Sequence, residues 1–160
     1  MPFNKVNVDG AVFGKQKEAG VGVVIRDHEG NFIAGLSKKF KAPLGDIAVE
    51  AKAFETGITF AKEVGILDFE LEGDSLTIVN ALCEKTSAPS SVASLIYGIQ
   101  AGSIDLRNVY FSHVCRSWNL PTHLLAKFAV GISNYFTWIE KCHCFLEQAL
   151  VQDVSSALIK

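Results

Sequence analysis

Val6-Asn7-Val8-Asp9-Gly10-Ala11-Val12-Phe13 reads as a β-strand that carries an acid where strands rarely do. In an extended chain Val6 and Val8 share one side of the pleat and Asp9 lies on the other. Carboxylates are uncommon in central strands; the competing reading is a strand-end aspartate that merely starts a turn at Gly10. Working outward, Gly20 to Arg26 is a second, valine-rich strand. Asp27-His28-Glu29-Gly30-Asn31 has turn composition, and Phe32 to Phe40 is a third strand. The short connection makes the second and third an antiparallel hairpin.

After Pro43 and Gly45 the period becomes helical. From Asp46 to Val64, the residues Ile47, Ala51, Phe54, Ile58 and Ala61 form one apolar stripe, and Gly65 is a stop signal. Asp68 to Gly73 is a short strand, Ser75 to Glu84 a helix, Val92 to Ala101 another, and Asn108 to Cys115 a fifth strand. Asn119 is expected to cap a helix from about Leu120 to Ile132, and the tail from Tyr135 to Leu158 has helical periodicity. A three-stranded meander followed by alternating helices and strands predicts an α/β fold: a mixed five-stranded sheet with helices on both faces.

The chain's 160 residues fit one domain, expected to span 1–160 with a core over about 4–132 and a helical extension over about 133–160. At this size about 70% of the unfolded surface is buried on folding. A net charge of −2 is unlike that of a protein built to coat DNA. No apolar run reaches the length of a membrane span, and Met1 to Gly10 lacks a secretory signal pattern. An intracellular protein, nuclear or cytoplasmic and not membrane-bound, is expected. With Met1 eight residues ahead of Asp9, no preceding domain is expected. The four cysteines, Cys83, Cys115, Cys142 and Cys144, are then expected to be free thiols. Cys142-His143-Cys144 invites a zinc reading but lacks a second ligand pair.

Two further acids join Asp9. At about 100° per residue Glu50 falls on the edge of its helix's apolar stripe, so it faces the sheet and needs a partner. A first-turn acid favoured by the helix dipole would not need that face. Asp74 leaves a strand and opens a helix, where Asp74 or Ser75 would serve as an ordinary N-cap. Together the three are more specific than apart. Two come from neighbouring strands and one from a helix lying on them, and like charges so close need a cation. Hard oxygen ligands suit Mg²⁺ or Mn²⁺, and two such ions about 4 Å apart support in-line attack of water on a phosphodiester.

These residues and their surroundings resemble the plant-type ribonuclease H-like domains, a group found in retroelement-derived and stand-alone plant proteins. The resemblance runs through Val6-Asn7-Val8-Asp9-Gly10-Ala11, Ala19 to Asn31, Val49-Glu50-Ala51-Lys52-Ala53 and Glu72-Gly73-Asp74-Ser75. It continues in Phe111-Ser112-His113-Val114-Cys115-Arg116 with Asn119, and in Trp138-Ile139-Glu140 before Phe145-Leu146. It implies a metal site in which Asp9, Glu50 and Asp74 are ligands, and a histidine, His113, that assists proton transfer or product release. It also implies a fourth aspartate in the last core helix, ahead of Leu-Ala-Lys. Here His123 holds that position, in Asn119-Leu120-Pro121-Thr122-His123-Leu124-Leu125-Ala126-Lys127. Imidazole carries no negative charge and suits magnesium poorly, so His123 is a weak ligand candidate, and one strong and one weak ion site are expected. Gly10 and the lysines Lys38, Lys39 and Lys41, with Lys15 and Lys17, are candidates for contact with nucleic-acid phosphates, an ordinary solvated surface being the alternative.

Three readings remain open on the sequence. The first is a metal-dependent endonuclease cutting the RNA strand of RNA–DNA hybrids, weakened at His123. The second is a nucleic-acid-binding module, for hybrid or duplex RNA or DNA, that has lost efficient cleavage. The third is a protein-interaction domain of retroelement descent, which gives no reason for Asp9, Glu50 and Asp74 to occur as a set.

Overall fold

The computed structural model describes residues 3–41 and 44–140. Strands β1 (Asn4–Phe13), β2 (Glu18–Arg26) and β3 (Phe32–Phe40) form the antiparallel meander. Helix α1 (Asp46–Glu63) stops where Gly65 takes a left-handed φ of 82° and the Ile66 N–H donates back to Ala61 O at 2.8 Å. Next come β4 (Asp68–Gly73), α2 (Leu76–Leu82), α3 (Ala93–Gly102), β5 (Asn108–His113) and α4 (Leu120–Phe128). Strands β4 and β5 run parallel to β1.

The sheet has six strands, not five: β6 (Tyr135–Ile139) pairs antiparallel with β3, giving the order β5-β4-β1-β2-β3-β6. The helical extension expected from residue 133 therefore does not hold over 135–139. In a strand, Trp138 turns inward onto a small cluster of Val24, Leu125 and Phe32, with its ring 5.6 Å from that of Phe128. Residues 141–160, with Cys142-His143-Cys144 and the rest of the expected helix, lie outside the described residues. Cys83 and Cys115 are free thiols. No helix among the described residues is long and apolar enough to cross a membrane.

Helices cover both faces, and the alternation in β2 decides which goes where. Val21 and Val23 point with Val6, Val8, Phe54 and Leu71 into the main core beneath α1. Gly20 and Gly22 point the other way, against α4. A Cβ on Gly22 would sit 2.1 Å from Thr122 O and 2.6 Å from Ala126 N; one on Gly20 would sit 2.2 Å from Ala126 O. The backbone of α4 thus rests directly on β2, a separation open only to glycine.

Gly22→Ala should therefore destabilise the fold by about 2–3 kcal/mol by lifting α4, whereas Gly14→Ala, with nothing within 4 Å of its Cβ, should change it by less than about 0.5 kcal/mol. Urea unfolding monitored by circular dichroism measures both, and equal losses would contradict the close-packing account.

Candidate metal centre

Parallel pairing of β1 and β4 brings two acids level. Asn7 lies opposite Glu72 in that ladder, and the same offset carried two residues further sets Asp9 beside Asp74, just past the end of β4. Ser75, not Asp74, caps α2: its hydroxyl accepts from the Ile78 N–H at 3.4 Å. The Asp74 carboxylate is left to face the site.

The third acid arrives from α1. Gly10 faces this helix, and a Cβ there would meet Val49 Cγ1 at 2.4 Å, so only glycine admits the first turn of α1 so near to β1. The Gly10 N–H then donates to Glu50 Oε1 at 3.3 Å. Oxygens of Asp9, Glu50 and Asp74 all lie within 4.8 Å of one another. Glu50 Oε2 is buried without a hydrogen-bond partner, and Asp9 is only 1% exposed. A convergent set of carboxylates with an orphaned buried oxygen fits a hard divalent cation.

The electrostatics agree. Burial, followed by the charges of Asp9 and Asp74, pushes the Glu50 carboxyl up to about 9. Burial and the charge of Asp74 likewise raise Asp9, against a lowering by its hydrogen bond to His123. Without a cation the fold holds this cluster partly protonated.

His123 enters from the first turn of α4, with Nδ1 2.8 Å from Asp9 Oδ2. It reaches the site as expected, but its contact is with a carboxylate, and its nitrogens are not among the convergent ligand atoms. Asn119 occupies the N-cap position of α4 as expected, but its side chain serves elsewhere. Its side chain makes no cap bond; instead Nδ2 donates to Val8 O at 2.8 Å, tying the start of α4 to β1 one residue before Asp9.

The cluster opens into a cleft of about 480 Å³ lined by Asp9, Gly10, Glu50, Asp74, His123 and, on its walls, Asp46, Arg116 and Lys127. Arg116 Nε lies 4.0 Å from Asp74 Oδ2. These two cations were not singled out from the sequence. Arg116 opens a single 3₁₀ turn, Arg116–Trp118, too short to show periodicity, and Lys127 shares the face of His123 only through the four-residue helical spacing, which was the one available signal. His113, exposed at the end of β5, does not line the cleft. Neither do Lys38, Lys39 and Lys41. The Lys39 ammonium donates to Val130 O at 3.0 Å and pairs with Glu18 at 3.6 Å. Lys38 sits over the Phe40 ring, and Lys41 is exposed beyond β3.

Residues 7–129 match the family model described as reverse transcriptase-like. None of the curated proteins matches the chain by sequence. Among solved structures, ribonuclease H1 from the halophilic archaeon Halobacterium salinarum superposes with a TM-score of 0.69 at 22% identity, over 79% of this chain and 96% of its own. A ribonuclease H1 isolated from compost, solved with an RNA/DNA hybrid, gives 0.73 at 22% identity over 79% and 96%. The foamy viral protease-reverse transcriptase in complex with RNA/DNA hybrid gives 0.68 at 13% identity, over 81% of this chain and 20% of that one. By its family match and its architecture, this chain belongs to the reverse transcriptase-like family and has the ribonuclease H-like fold.

Proposed function

We propose that the chain is a metal-dependent endonuclease that hydrolyses the RNA strand of RNA–DNA hybrids, with Mg²⁺ or Mn²⁺ held by Asp9, Glu50 and Asp74. The observation that carries this is the convergence of three carboxylates at the floor of an open cleft with cations on its walls. That a structural relative was solved with an RNA/DNA hybrid supports the choice of substrate. The ion, when bound, supplies a more acidic water and neutralises charge on the phosphate. Gly10 fixes Glu50 through its N–H, His123 and burial fix Asp9, and Arg116 and Lys127 offer N–H donors to the non-bridging phosphate oxygens. His113 is assigned to proton transfer near the strand end, and Lys41 to outer phosphates. A second reading, hybrid binding with little cleavage, is favoured by His123, which brings no charge to the position where the resembled family has an aspartate.

Cleavage of a labelled hybrid in magnesium and then manganese tests the reading. Asp9→Asn should abolish activity and His113→Ala should lower kcat by about 100-fold. No cleavage by the natural sequence in either metal would remove the first reading, and retained hybrid binding would leave the second. Arg116→Ala and Lys127→Ala should each reduce the salt dependence of hybrid binding by about one phosphate contact, measured by fluorescence anisotropy; unchanged slopes would take both residues off the substrate path.

Stability should report the cluster independently. The folded Glu50 carboxyl titrates far above its ordinary 4.5, so folding favours its protonated form. That contribution is complete below the ordinary value and is lost as pH rises toward 9. Raised Asp9 acts in the same direction. In chelator, Tm should therefore fall between about pH 5 and pH 9. Glu50→Gln, which keeps an acceptor for Gly10, should raise stability near neutral pH by about 1–3 kcal/mol. Added divalent cation should raise the Tm of the natural protein most at the alkaline end and leave Glu50→Gln nearly unmoved. A Tm that climbs with pH in chelator would contradict the assignment.

A further inference from the structure

Resting on the cation reading above, we infer that His123 is a positioning residue for Asp9, and that the cluster is consequently built for one divalent cation, not two. Asp9 has two carboxylate oxygens, and His123 Nδ1 occupies Oδ2 at 2.8 Å. A carboxylate serving two ions ordinarily gives an oxygen to each; here the His123 contact competes with a second ion for Oδ2. An Asp9 oxygen joins Glu50 and Asp74 in a single set of three donors within 4.8 Å, and among the described residues no other such set of acids, histidines or cysteines occurs. Asp46, the remaining acid on the cleft wall, is exposed and outside the set.

The backbone that carries His123 is held in place. Its helix is seated on Gly20 and Gly22 with no room for a methyl group, and the preceding turn is tied to Val8 O through Asn119. The imidazole is therefore delivered by a rigid element, as a group that orients a metal-binding carboxylate should be. Charge closes the account. Three carboxylates and one divalent ion leave a single negative charge, and Arg116 and Lys127 on the same cleft walls supply the positive charge a phosphodiester needs where a second ion would otherwise stand.

Counting Mn²⁺ by isothermal titration calorimetry, with electron spin-echo spectroscopy of the bound ion, tests this without any activity readout. The natural protein should bind one ion and show no directly coordinated imidazole nitrogen. His123→Asn, which places an amide N–H where Nδ1 was, should also bind one, with nearly natural affinity. His123→Ala should bind one about 10-fold more weakly, and His123→Asp should bind two. Circular dichroism establishes that each variant is folded. Two ions of comparable affinity in the natural protein, or a strong imidazole nitrogen coupling lost in His123→Asn, would overturn the inference and leave the nuclease reading standing. A single ion in His123→Asp would sink the assignment to this residue. No ion at all would remove the metal reading itself, and this inference with it.

Discussion

Mutual repulsion of three carboxylates in a half-buried site is the constraint on which the rest of this structure turns. At separations up to 4.8 Å, each ionised pair costs about 3–4 kcal/mol at an effective dielectric constant near 20. Full ionisation of the cluster would offset most of the 5–15 kcal/mol by which domains are ordinarily stable. The fold answers locally: burial and neighbouring charge keep Glu50 protonated, one Glu50 oxygen is tied to the Gly10 N–H, and one Asp9 oxygen is tied to His123. Every element that meets here does so for an identifiable reason, β4 by parallel pairing, α1 across Gly10, and α4 across Gly20 and Gly22.

The glycine face of β2 has a consequence beyond packing. It lowers α4 onto the sheet, so the first turn of that helix stands beside Asp9 and not above it. Asn119 then reaches Val8 O and His123 reaches the carboxylate. A helix held off by ordinary side chains would put both beyond hydrogen-bond range. The fourth corner of the site is therefore set by two missing methyl groups on a strand that contributes no functional side chain of its own.

Much of this was legible in the sequence, because the elements that build the site are amphipathic. The meander, α1 and β4 announce themselves by alternation or by a helical stripe, and Asp9 and Glu50 stand out as acids on patterned elements. Strand β6 was not legible. Tyr135-Phe136-Thr137-Trp138-Ile139 has large apolar residues at all but one position, which satisfies a helix and a strand alike, and an edge strand with much of its surface exposed is under little pressure to alternate. Asn119 does stand at the N-cap position of α4, as its composition suggests, but the tertiary position of β1 takes its amide away from the helix to Val8 O. Lys39 looked available because its partner Glu18 comes from a neighbouring strand, where pairing register and not sequence distance decides contact. Arg116 belongs to the same class, a residue of a short 3₁₀ turn whose neighbour, Asp74, lies far away along the chain.

A cluster kept against its own repulsion also says something about use. The cheapest relief is an amide: glutamine at position 50 would still accept from Gly10 and would remove the cost of holding a carboxyl protonated beside two other acids. Asparagine at position 9 would serve similarly, its amide N–H free to meet His123. A domain whose work was only to bind a protein surface would gain stability from either change and lose nothing at the cleft. The acids are costly as they stand and become favourable when a cation is present, since binding to the folded state alone adds to its stability. Arg116 and Lys127 sharpen this. On the cleft lining, with only a long 4.0 Å contact from Arg116 to Asp74, they leave most of the carboxylates' negative charge uncompensated while making the mouth attractive to an anion. Such an arrangement suits the two ligands of opposite sign that the proposed function requires, a metal ion at the carboxylates and a phosphate beside the cations.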